Sequence, residues 1–391
     1  MVIIMNDFDY LGEGEVYLDG ACQSLRPRPV IDAINAYYTE HNSCGERVKY
    51  KWGVETDEKV EETRSLVLKY LGLKPKKYTV SFTLNTTYGI NMILNQLKPE
   101  YFSKVMTSEI EHNSPFLATM AFSERTGVPR EVMARNDDGT ITVSDYDFAD
   151  AVVVVNCASN FDGRKLSNLE ELTKVVHKSG GIIIIDAAQA MAHSVDVLRG
   201  IEVDAICFSA HKLYAPSLGA IVWRDELNDK MNVGFVGGGM VDDVELDSYV
   251  LSAEGKEHRY TRFEAGLQAW GEIIGLGAAL KWLAGVSKND WRNFEHNYKD
   301  LYEFLDGSSK VHLVNNEPNP TMSFYVDGLD SHMLGAALSR ENIMARTGYF
   351  CAHYYLDHVL GLPPLLRFSL GLHNRPEDID IIKNVMEKII K

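Results

Sequence analysis

Two short apolar runs, each ending in polar residues, constrain this chain most. They cover residues 181–189 and 205–212 and are rich in isoleucine, alanine and other apolar side chains. Each run is typical of a strand buried on both faces of a parallel sheet. Ionisable groups need partners in such an interior, and the carboxyl ends of parallel strands open into the ligand crevice. We therefore expect five polar side chains to converge there: Asp186, Gln189, Ser209, His211 and Lys212.

A carboxylate and a lysine in one crevice are what pyridoxal phosphate requires. The lysine amine bonds to the aldehyde, and the carboxylate keeps the pyridine nitrogen protonated so that the ring accepts electrons from a substrate carbanion. Ser209 and His211 would then contact the phosphate. The alternative is a buried ion pair between Asp186 and Lys212, which is the better account of an arbitrary Asp and Lys in an α/β protein. The neighbouring serine and histidine favour the cofactor.

Two segments carry a resemblance to a known family. They read DAAQA at 186–190 and SAHKLYAP at 209–216. This pattern resembles the core of the class V aminotransferase superfamily, whose members are pyridoxal phosphate enzymes of fold type I, and specifically its cysteine desulfurases and selenocysteine lyases. The resemblance extends from about Val16 to the C-terminus. It implies that Lys212 holds the cofactor and that Asp186 faces the ring nitrogen.

The length of 391 residues suits two unequal domains. Strands alternating with helical stretches through Val222 predict βαβ units, and hence an α/β fold whose large domain has a mostly parallel sheet flanked by helices. From about Leu267 onward long helices with a few strands predict a smaller α+β C-terminal domain. We expect an N-terminal segment over 1–25 near the active-site mouth, a large cofactor-binding domain over 26–266 and a small domain over 267–391.

Composition excludes several classes of protein. A hydrophobic content of 45% with 24% charged residues is typical of a globular protein. The net charge of −16 argues against nucleic acid as a partner. The start of the chain lacks the pattern of a secretion signal, and no apolar run approaches the ~20 residues of a membrane span. We expect a cytoplasmic protein. The five cysteines have no metal-like spacing, so neither a disulfide framework nor a metal site is expected.

The stretch around Thr86 and Thr87 predicts a phosphate site. A strand over 78–83 leads into these threonines and then into a helical pattern. Hydroxyls and free N–H groups at a helix N-terminus bind anions, and the segment matches the phosphate-binding turn of the family. Plain helix capping is the alternative, and it would account for one of the two threonines.

The resemblance assigns roles to three further polar residues. His112 occupies the place of the family's histidine that stacks on the cofactor ring and takes part in proton transfer, whereas a lone histidine after a strand is more often a capping or surface residue. Asn160 and Gln189 match the amides that lie near the phenolic oxygen of the cofactor, and Asn160 is also near the substrate carboxylate. Either amide would alternatively satisfy backbone groups of a loop.

Arg367 places a cation inside an apolar strand, where it needs an anionic partner. The family uses the matching arginine to hold the substrate carboxylate by a bidentate bond, and a structural carboxylate is the alternative. Arg346 is a second candidate for the same end of the substrate, or else an anchor of its loop.

Cys351 decides which chemistry the resemblance implies. Residues 345–352 are similar to the short catalytic loop of the cysteine desulfurases related to selenocysteine lyases, in which a thiolate takes sulfur from the substrate and becomes a persulfide. Cys157 and Cys207, beside or within strands, are expected to be inert. Tyr349 and Phe350 stand where histidines are often found, and aromatic neighbours disfavour a thiolate. We therefore expect a partner protein to rearrange the loop.

One position departs from the family pattern. The family usually has a threonine that reaches the neighbouring subunit's cofactor, and this chain has Leu267 there. Just before it, Arg262 and Glu264 are family-like, although a surface ion pair between them would be an adequate structural account.

The sequence therefore predicts a homodimeric enzyme that converts L-cysteine into L-alanine and a Cys351 persulfide. A sulfur-acceptor or scaffold protein, as in iron–sulfur cluster assembly, would take the sulfur. The alternatives are selenocysteine lysis, transamination or epimerisation on the same scaffold, and a catalytically silent binding protein.

Overall fold

The computed structural model describes residues 7–45, 48–252 and 256–390. Residues 1–6, where the predicted N-terminal segment begins, lie outside the described residues. The strands are, in chain order, β1 (Val16–Tyr17), β2 (Tyr78–Thr83), β3 (Lys104–Ser108), β4 (Arg130–Met133), β5 (Ala151–Asn156), β6 (Ile182–Asp186), β7 (Ala205–Ser209), β8 (Gly219–Arg224), β9 (Val241–Val244), β10 (Tyr249–Leu251), β11 (Val311–Leu313), β12 (Thr321–Val326), β13 (Ile343–Met344), β14 (Arg346–Gly348) and β15 (Leu365–Ser369).

Most α-helices of the described residues lie between these strands along the chain. They are α1 (Arg28–Glu40), α2 (Lys51–Leu71), α3 (Thr86–Gln96), α4 (Asn113–Thr126), α5 (Leu169–Lys178), α6 (Ala190–His193), α7 (Trp270–Gly285), α8 (Lys288–Asp306), α9 (Ser331–Arg340) and α10 (Pro376–Ile390). Within the part of the chain that is described, no helix combines the length and apolar character needed to cross a bilayer.

A seven-stranded sheet lies at the centre of the described structure. Its strand order is β2-β8-β7-β6-β5-β3-β4, in which β8 runs antiparallel to both neighbours and the other pairs are parallel. Helices cover both faces of the sheet. The predicted α/β fold with a mostly parallel sheet is confirmed.

Burial on both faces explains why the central strands lack alternation in their sequence. Every residue of β5, β6 and β7 is buried. Val152 and Val154 pack towards α3 and α4, whereas Val153 and Val155 belong to the core that includes α2 and α5. Successive side chains of a strand point to opposite faces, so two apolar faces require a continuous apolar run.

A second, antiparallel sheet has the order β11-β12-β15-β14. The N-terminal segment joins this region, because β1 pairs in parallel with β13 and Asp19 forms a bridge with Ser369 of β15. Helix α1 packs against α7. These contacts bring the N-terminal segment to the edge of the central sheet where the predicted site residues gather.

Candidate active site

A cavity of about 280 Å³ opens at the carboxyl ends of β5, β6 and β7. The polar residues that end these strands face it, as expected for a sheet of parallel strands. The structure brings all the predicted site residues together in its lining: Thr86, Thr87, His112, Asn160, Asp186, Gln189, Ser209, His211, Lys212, Arg346, Cys351 and Arg367.

Asp186 and Lys212 face the cavity from neighbouring strands. Asp186 ends β6, is 4% exposed, and accepts a hydrogen bond from the N–H of Ala188 at 2.9 Å. Lys212 lies on a 3-10 turn directly after β7. Burial raises the pKa of Asp186 and lowers the pKa of Lys212, although each residue's charge opposes the shift of the other. Desolvation therefore favours the neutral amine, which is the nucleophilic form of a lysine.

His112 is both a helix cap and a wall of the cavity. It is the N-cap of α4, and its Nδ1 accepts the N–H of Ser114 at 3.0 Å. The proton of the neutral ring therefore resides on Nε2. Burial lowers the pKa of His112 to about 4, and the cations of Lys212 and Arg367 act in the same direction. The ring is thus uncharged at neutral pH.

Hydroxyl groups gather at the N-terminus of α3. The N–H of Thr86 donates to Ser209 Oγ at 2.9 Å, and the two hydroxyl oxygens are 2.7 Å apart. Thr87 Oγ1 lies 2.6 Å from Ser114 Oγ. The side chain of Asn85 caps the helix by accepting the N–H of Tyr88, so neither threonine is needed as the cap. The group is suited to an anion, because helix N–H groups and hydroxyls all donate there.

His211 also lines the cavity. Burial lowers the pKa of His211 to about 4, and Lys212 and Arg26 add to the effect. As a neutral ring it offers one N–H donor.

Asn160 and Gln189 hold backbone segments in this structure. Asn160 Nδ2 donates to the carbonyl of Phe350 at 2.6 Å, and Gln189 Nε2 donates to the carbonyl of Ala21 at 2.8 Å. This is the loop-anchoring role that the sequence left open for both amides. Their contact with a phenolic oxygen stays a prediction.

Arg367 has a structural carboxylate partner. Its Nη2 donates to Asp19 Oδ1 and its Nη1 to the carbonyl of Asn160, both at 2.9 Å. The guanidinium also lies over the ring of Phe350, 4.8 Å from its centre. The Nε–H is buried and has no hydrogen-bond partner among the described residues. Nε is thus the one guanidinium nitrogen of Arg367 without a partner among the described residues, and the second hydrogens of Nη1 and Nη2 are further donors for a substrate carboxylate.

Cys351 lies on a tight exposed turn between β14 and β15. Gly348, Phe350 and Cys351 all have positive φ, at 116°, 50° and 59°. Two consecutive non-glycine residues in this region are strained. The turn is held because the N–H of Asn113 donates to the carbonyl of Cys351 at 2.6 Å, and Phe350 is buried while Cys351 is exposed. The thiol is therefore accessible at the mouth of the cavity.

The residues at this site that were not predicted include Asp19, Cys22, Ser114 and Asn156. Asn156 ends β5 opposite Asp186, so the rule that singled out Asp186 would also have found it. The Oδ1 of Asn156 is buried without a hydrogen-bond partner among the described residues. Its backbone N–H and its Nδ2 donate to Glu111 Oε2 at 2.8 and 2.9 Å. The other three depend on long-range folding or on a hydrogen bond that no local pattern indicates.

The alternative of a surface ion pair between Arg262 and Glu264 is wrong. Both residues are buried and point elsewhere. Glu264 accepts two hydrogen bonds from Arg64, and Arg262 donates to Asn228 and Gln96. Leu267 is 77% exposed.

The donor set fits pyridoxal phosphate. An amine favoured in its neutral form faces a buried carboxylate, and the hydroxyls at the N-terminus of α3 face the same cavity. The unpartnered Asn156 Oδ1 and Arg367 Nε are further polar atoms for a bound group. Lys212 would bond to the aldehyde, Asp186 would face the ring nitrogen, and Thr86, Thr87, Ser209 and His211 would surround the phosphate.

Comparisons with known proteins agree with this arrangement. A probable cysteine desulfurase of Pyrococcus abyssi is 26% identical, covering 96% of this chain and 94% of the relative. The apo structure of a cysteine desulfurase from Thermococcus onnurineus aligns with a TM-score of 0.85 and 28% identity, covering 97% of this chain and 95% of the other. A cysteine desulfurase structure from Escherichia coli has the same fold, with a TM-score of 0.88 at 23% identity over 98% and 96% of the two chains.

The strongest assignment is at the level of the family. The model of the family described as aminotransferase class-V matches residues 16–382, which is nearly the whole chain. That match includes the central sheet, the cavity at its edge and the turn that carries Cys351. The chain therefore belongs to the class-V aminotransferase family.

Proposed function

We propose that this chain is a pyridoxal phosphate-dependent cysteine desulfurase. It removes sulfur from L-cysteine, leaving L-alanine and a persulfide on Cys351. The observation that carries the proposal is an accessible thiol on a strained turn that opens into the cavity of Lys212 and Asp186. An aminotransferase needs no such thiol. The relatives named as cysteine desulfurases support the same activity.

Each polar group of the cavity has a task in this reaction. Pyridoxal phosphate, when bound, supplies an acceptor for the electron pair left at the substrate Cα. Asp186 would hold the proton of the ring nitrogen. Lys212 Nζ would take the Cα proton of the substrate and later return a proton to the product. His112 Nε2–H orients the substrate from the adjacent wall.

Arg367 and Cys351 act on opposite ends of the substrate. The Arg367 guanidinium binds the carboxylate, through the unpartnered Nε–H and through the donors that Asp19 occupies in this structure. Cys351 Sγ attacks the substrate sulfur, so that a new S–S bond forms as the bond between that sulfur and Cβ breaks. The electron pair of the broken bond stays with Cβ, which takes up a proton, and the Cys351 thiol gives up one. The products are L-alanine and an outer sulfur bound to Cys351.

The enzyme acts as a homodimer in the cytoplasm and passes its sulfur to an acceptor or scaffold protein, for example in iron–sulfur cluster assembly. Exposed Cys351 is accessible to such an acceptor. Two exposed apolar residues, Leu84 at 66% and Leu267 at 77%, are suited to burial between subunits. Sedimentation of the purified protein gives the mass of the assembly, and a monomer at all concentrations would contradict the dimer.

The test is production of alanine from L-cysteine by the wild type and by two matched variants. Cys351→Ser should lower the rate by at least about 100-fold, because the nucleophile is lost, while keeping the visible absorbance of the cofactor. Cys44→Ser, which changes an exposed thiol on another loop, should leave the rate unchanged.

Selenocysteine as substrate separates the nearest alternative. Undiminished alanine production from L-cysteine by Cys351→Ser would exclude the proposed role of this thiol. Activity confined to selenocysteine would identify a selenocysteine lyase.

A further inference from the structure

The active-site cavity contains a second thiol. Cys22 and Cys351 both line it, together with Lys212, Arg346 and Arg367. Cys351 is exposed at the mouth, whereas Cys22 is half-buried on the N-terminal segment. Burial lowers the pKa of Lys212, whereas the charge of Asp186 raises it. Cys22 and Cys351 act in the same direction as Asp186. Both thiols therefore belong to residues that line the cavity of this amine.

A guanidinium contacts the sulfur of Cys22. Arg346 Nη1 donates to Cys22 Sγ at 3.2 Å, and the same nitrogen lies 3.8 Å from Asp19 Oδ2. Arg346 begins β14, the strand that leads directly into the turn of Cys351. The contact therefore joins the segment of Cys22 to the element that carries the other thiol. A donor of this kind stabilises a sulfur that carries negative charge.

The segment of Cys22 is held by hydrogen bonds to residues around the cavity. The N–H of Ala21 donates to Ser369 Oγ at 2.9 Å, and the carbonyl of Ala21 accepts from Gln189. On the other side, Ser24 Oγ donates to the carbonyl of His211 at 2.9 Å. Cys22 is held between these anchors, so its position relative to the cavity is set by the fold.

The remaining cysteines are differently placed. Cys157 and Cys207 are fully buried in the sheet, and burial raises the pKa of both thiols. Cys44 is exposed on the loop after α1 and lies outside the cavity lining formed by the described residues. Cys22 is thus distinguished from these three by sharing a cavity with Cys351 and by its contact with Arg346.

We propose that Cys22 is an internal acceptor for the sulfur that Cys351 takes from the substrate. This inference rests on the proposed desulfurase function. Cys22 Sγ, as a thiolate, attacks the outer sulfur of the Cys351 persulfide. A bond from Cys22 Sγ to that sulfur forms while the Cys351 Sγ–S bond breaks, and Cys351 Sγ leaves with the electron pair and takes up the proton that Cys22 released. One persulfide replaces another, so no oxidant or reductant is required.

The transfer restores Cys351 for a second turnover before any acceptor protein arrives. Without an acceptor or reductant, the wild type should release about two alanines per subunit in its initial burst, because each of two thiols stores one sulfur. Cys22→Ser should release about half as much, since only Cys351 stores sulfur. Cys44→Ser is the matched control and should keep the wild-type burst.

Mapping of the persulfides tests the transfer directly. After the burst and alkylation, mass spectrometry should find the added sulfur on the peptides of both Cys22 and Cys351. Equal bursts in the wild type and Cys22→Ser, or added sulfur on Cys351 alone, would overturn the inference. A Cys22–Cys351 disulfide with release of sulfide would also overturn it, because attack would then be at the inner sulfur. No alanine from the wild type would instead reject the desulfurase function itself.

A cross-linking measurement needs no turnover. Dibromobimane becomes fluorescent when it alkylates two neighbouring thiols, and in the wild type it should join the peptides of Cys22 and Cys351. Cys44→Ser should behave as the wild type, and Cys22→Ser should give no such product. Absence of the Cys22–Cys351 product in the wild type would contradict the proximity on which the transfer depends.

Discussion

Replacing Glu264 by alanine should destabilise the protein far more than replacing Glu61, although both carboxylates pair with the same guanidinium. The Glu264 side chain is 0% exposed and accepts hydrogen bonds from Arg64 at 2.7 and 2.8 Å and from the N–H of Phe82 at 2.6 Å. The Glu61 side chain is 63% exposed and accepts one hydrogen bond from Arg64 at 3.0 Å. The two variants therefore compare a buried and an exposed partner of one cation.

The magnitude follows from desolvation. Removing one member of a buried pair costs about 3–5 kcal/mol, because the other charge is left in the interior. We expect about 3 kcal/mol for Glu264→Ala, at the lower end, because Arg64 keeps the carbonyl of Val80 and the ring of Tyr260. Glu61→Ala should cost less than about 1 kcal/mol, because water screens an exposed pair.

Urea unfolding of the two cofactor-free variants measures the difference between their free energies of unfolding. The comparison requires that the free energy depend on urea concentration with the same slope in both variants. Glu264→Ala should also weaken cofactor binding, since Phe82 precedes the turn to Thr86. Variants whose free energies of unfolding differ by less than about 1 kcal/mol would refute the reasoning, because burial of the partner would then not set the cost.

Three other changes test the site. Arg367→Lys replaces the planar guanidinium that contacts Asp19 by a single ammonium group. The KM for L-cysteine should therefore rise by about 10- to 100-fold. An unaltered KM in steady-state kinetics would exclude binding of the substrate carboxylate by Arg367. His112→Gln should lower kcat by at least about 100-fold, because the N–H that orients the substrate is lost. Burial lowers the pKa of His112 to about 4, so the pH–rate profile of the wild type should show no acid limb from this residue near the ordinary histidine value of 6.5. A limb near 6.5 that is present in the wild type and absent from His112→Gln would contradict the neutral ring. Burial raises the pKa of Glu111 from 4.5 to about 7. Between these pH values the folded protein keeps a proton that the unfolded chain releases. The free energy of unfolding should therefore fall by up to about 3 kcal/mol as the pH rises from 4.5 through 7. Glu111→Gln should remove this loss, and parallel curves of unfolding free energy against pH for the two proteins would disprove it.

The central sheet was predictable because burial on both faces leaves a strong pattern. The runs at β5, β6 and β7 are apolar throughout and end in Asn156, Asp186 and Ser209. Parallel strands place these ends at one edge, so the sequence alone predicts that Asp186 and Lys212 share one cavity. The same pattern gives no information on which other elements reach that edge.

Partners far apart in the sequence were not predictable. Arg367 pairs with Asp19, which is 348 residues away, and Arg64 pairs with Glu264, which is 200 residues away. Periodicity indicates which side of an element is buried, but not which distant polar group it meets. The anchoring of the Cys351 turn by Asn160 depends in the same way on tertiary contacts.

The domain boundaries of 1–25, 26–266 and 267–391 stay predictions. Helix α7, in the last of these ranges, packs against α1 and α2 of the second. Helix α7 is apolar and buried on nearly all sides, so its sequence does not reveal which helices it will meet.

The bond between Lys212 and pyridoxal phosphate underlies the whole account. Borohydride makes this bond permanent, and peptide mass mapping of the reduced protein then identifies the lysine that carries the pyridoxyl group. The account predicts the added mass on the peptide containing Lys212, and its loss in Lys212→Ala. A pyridoxyl group on another lysine, or on none, would contradict it.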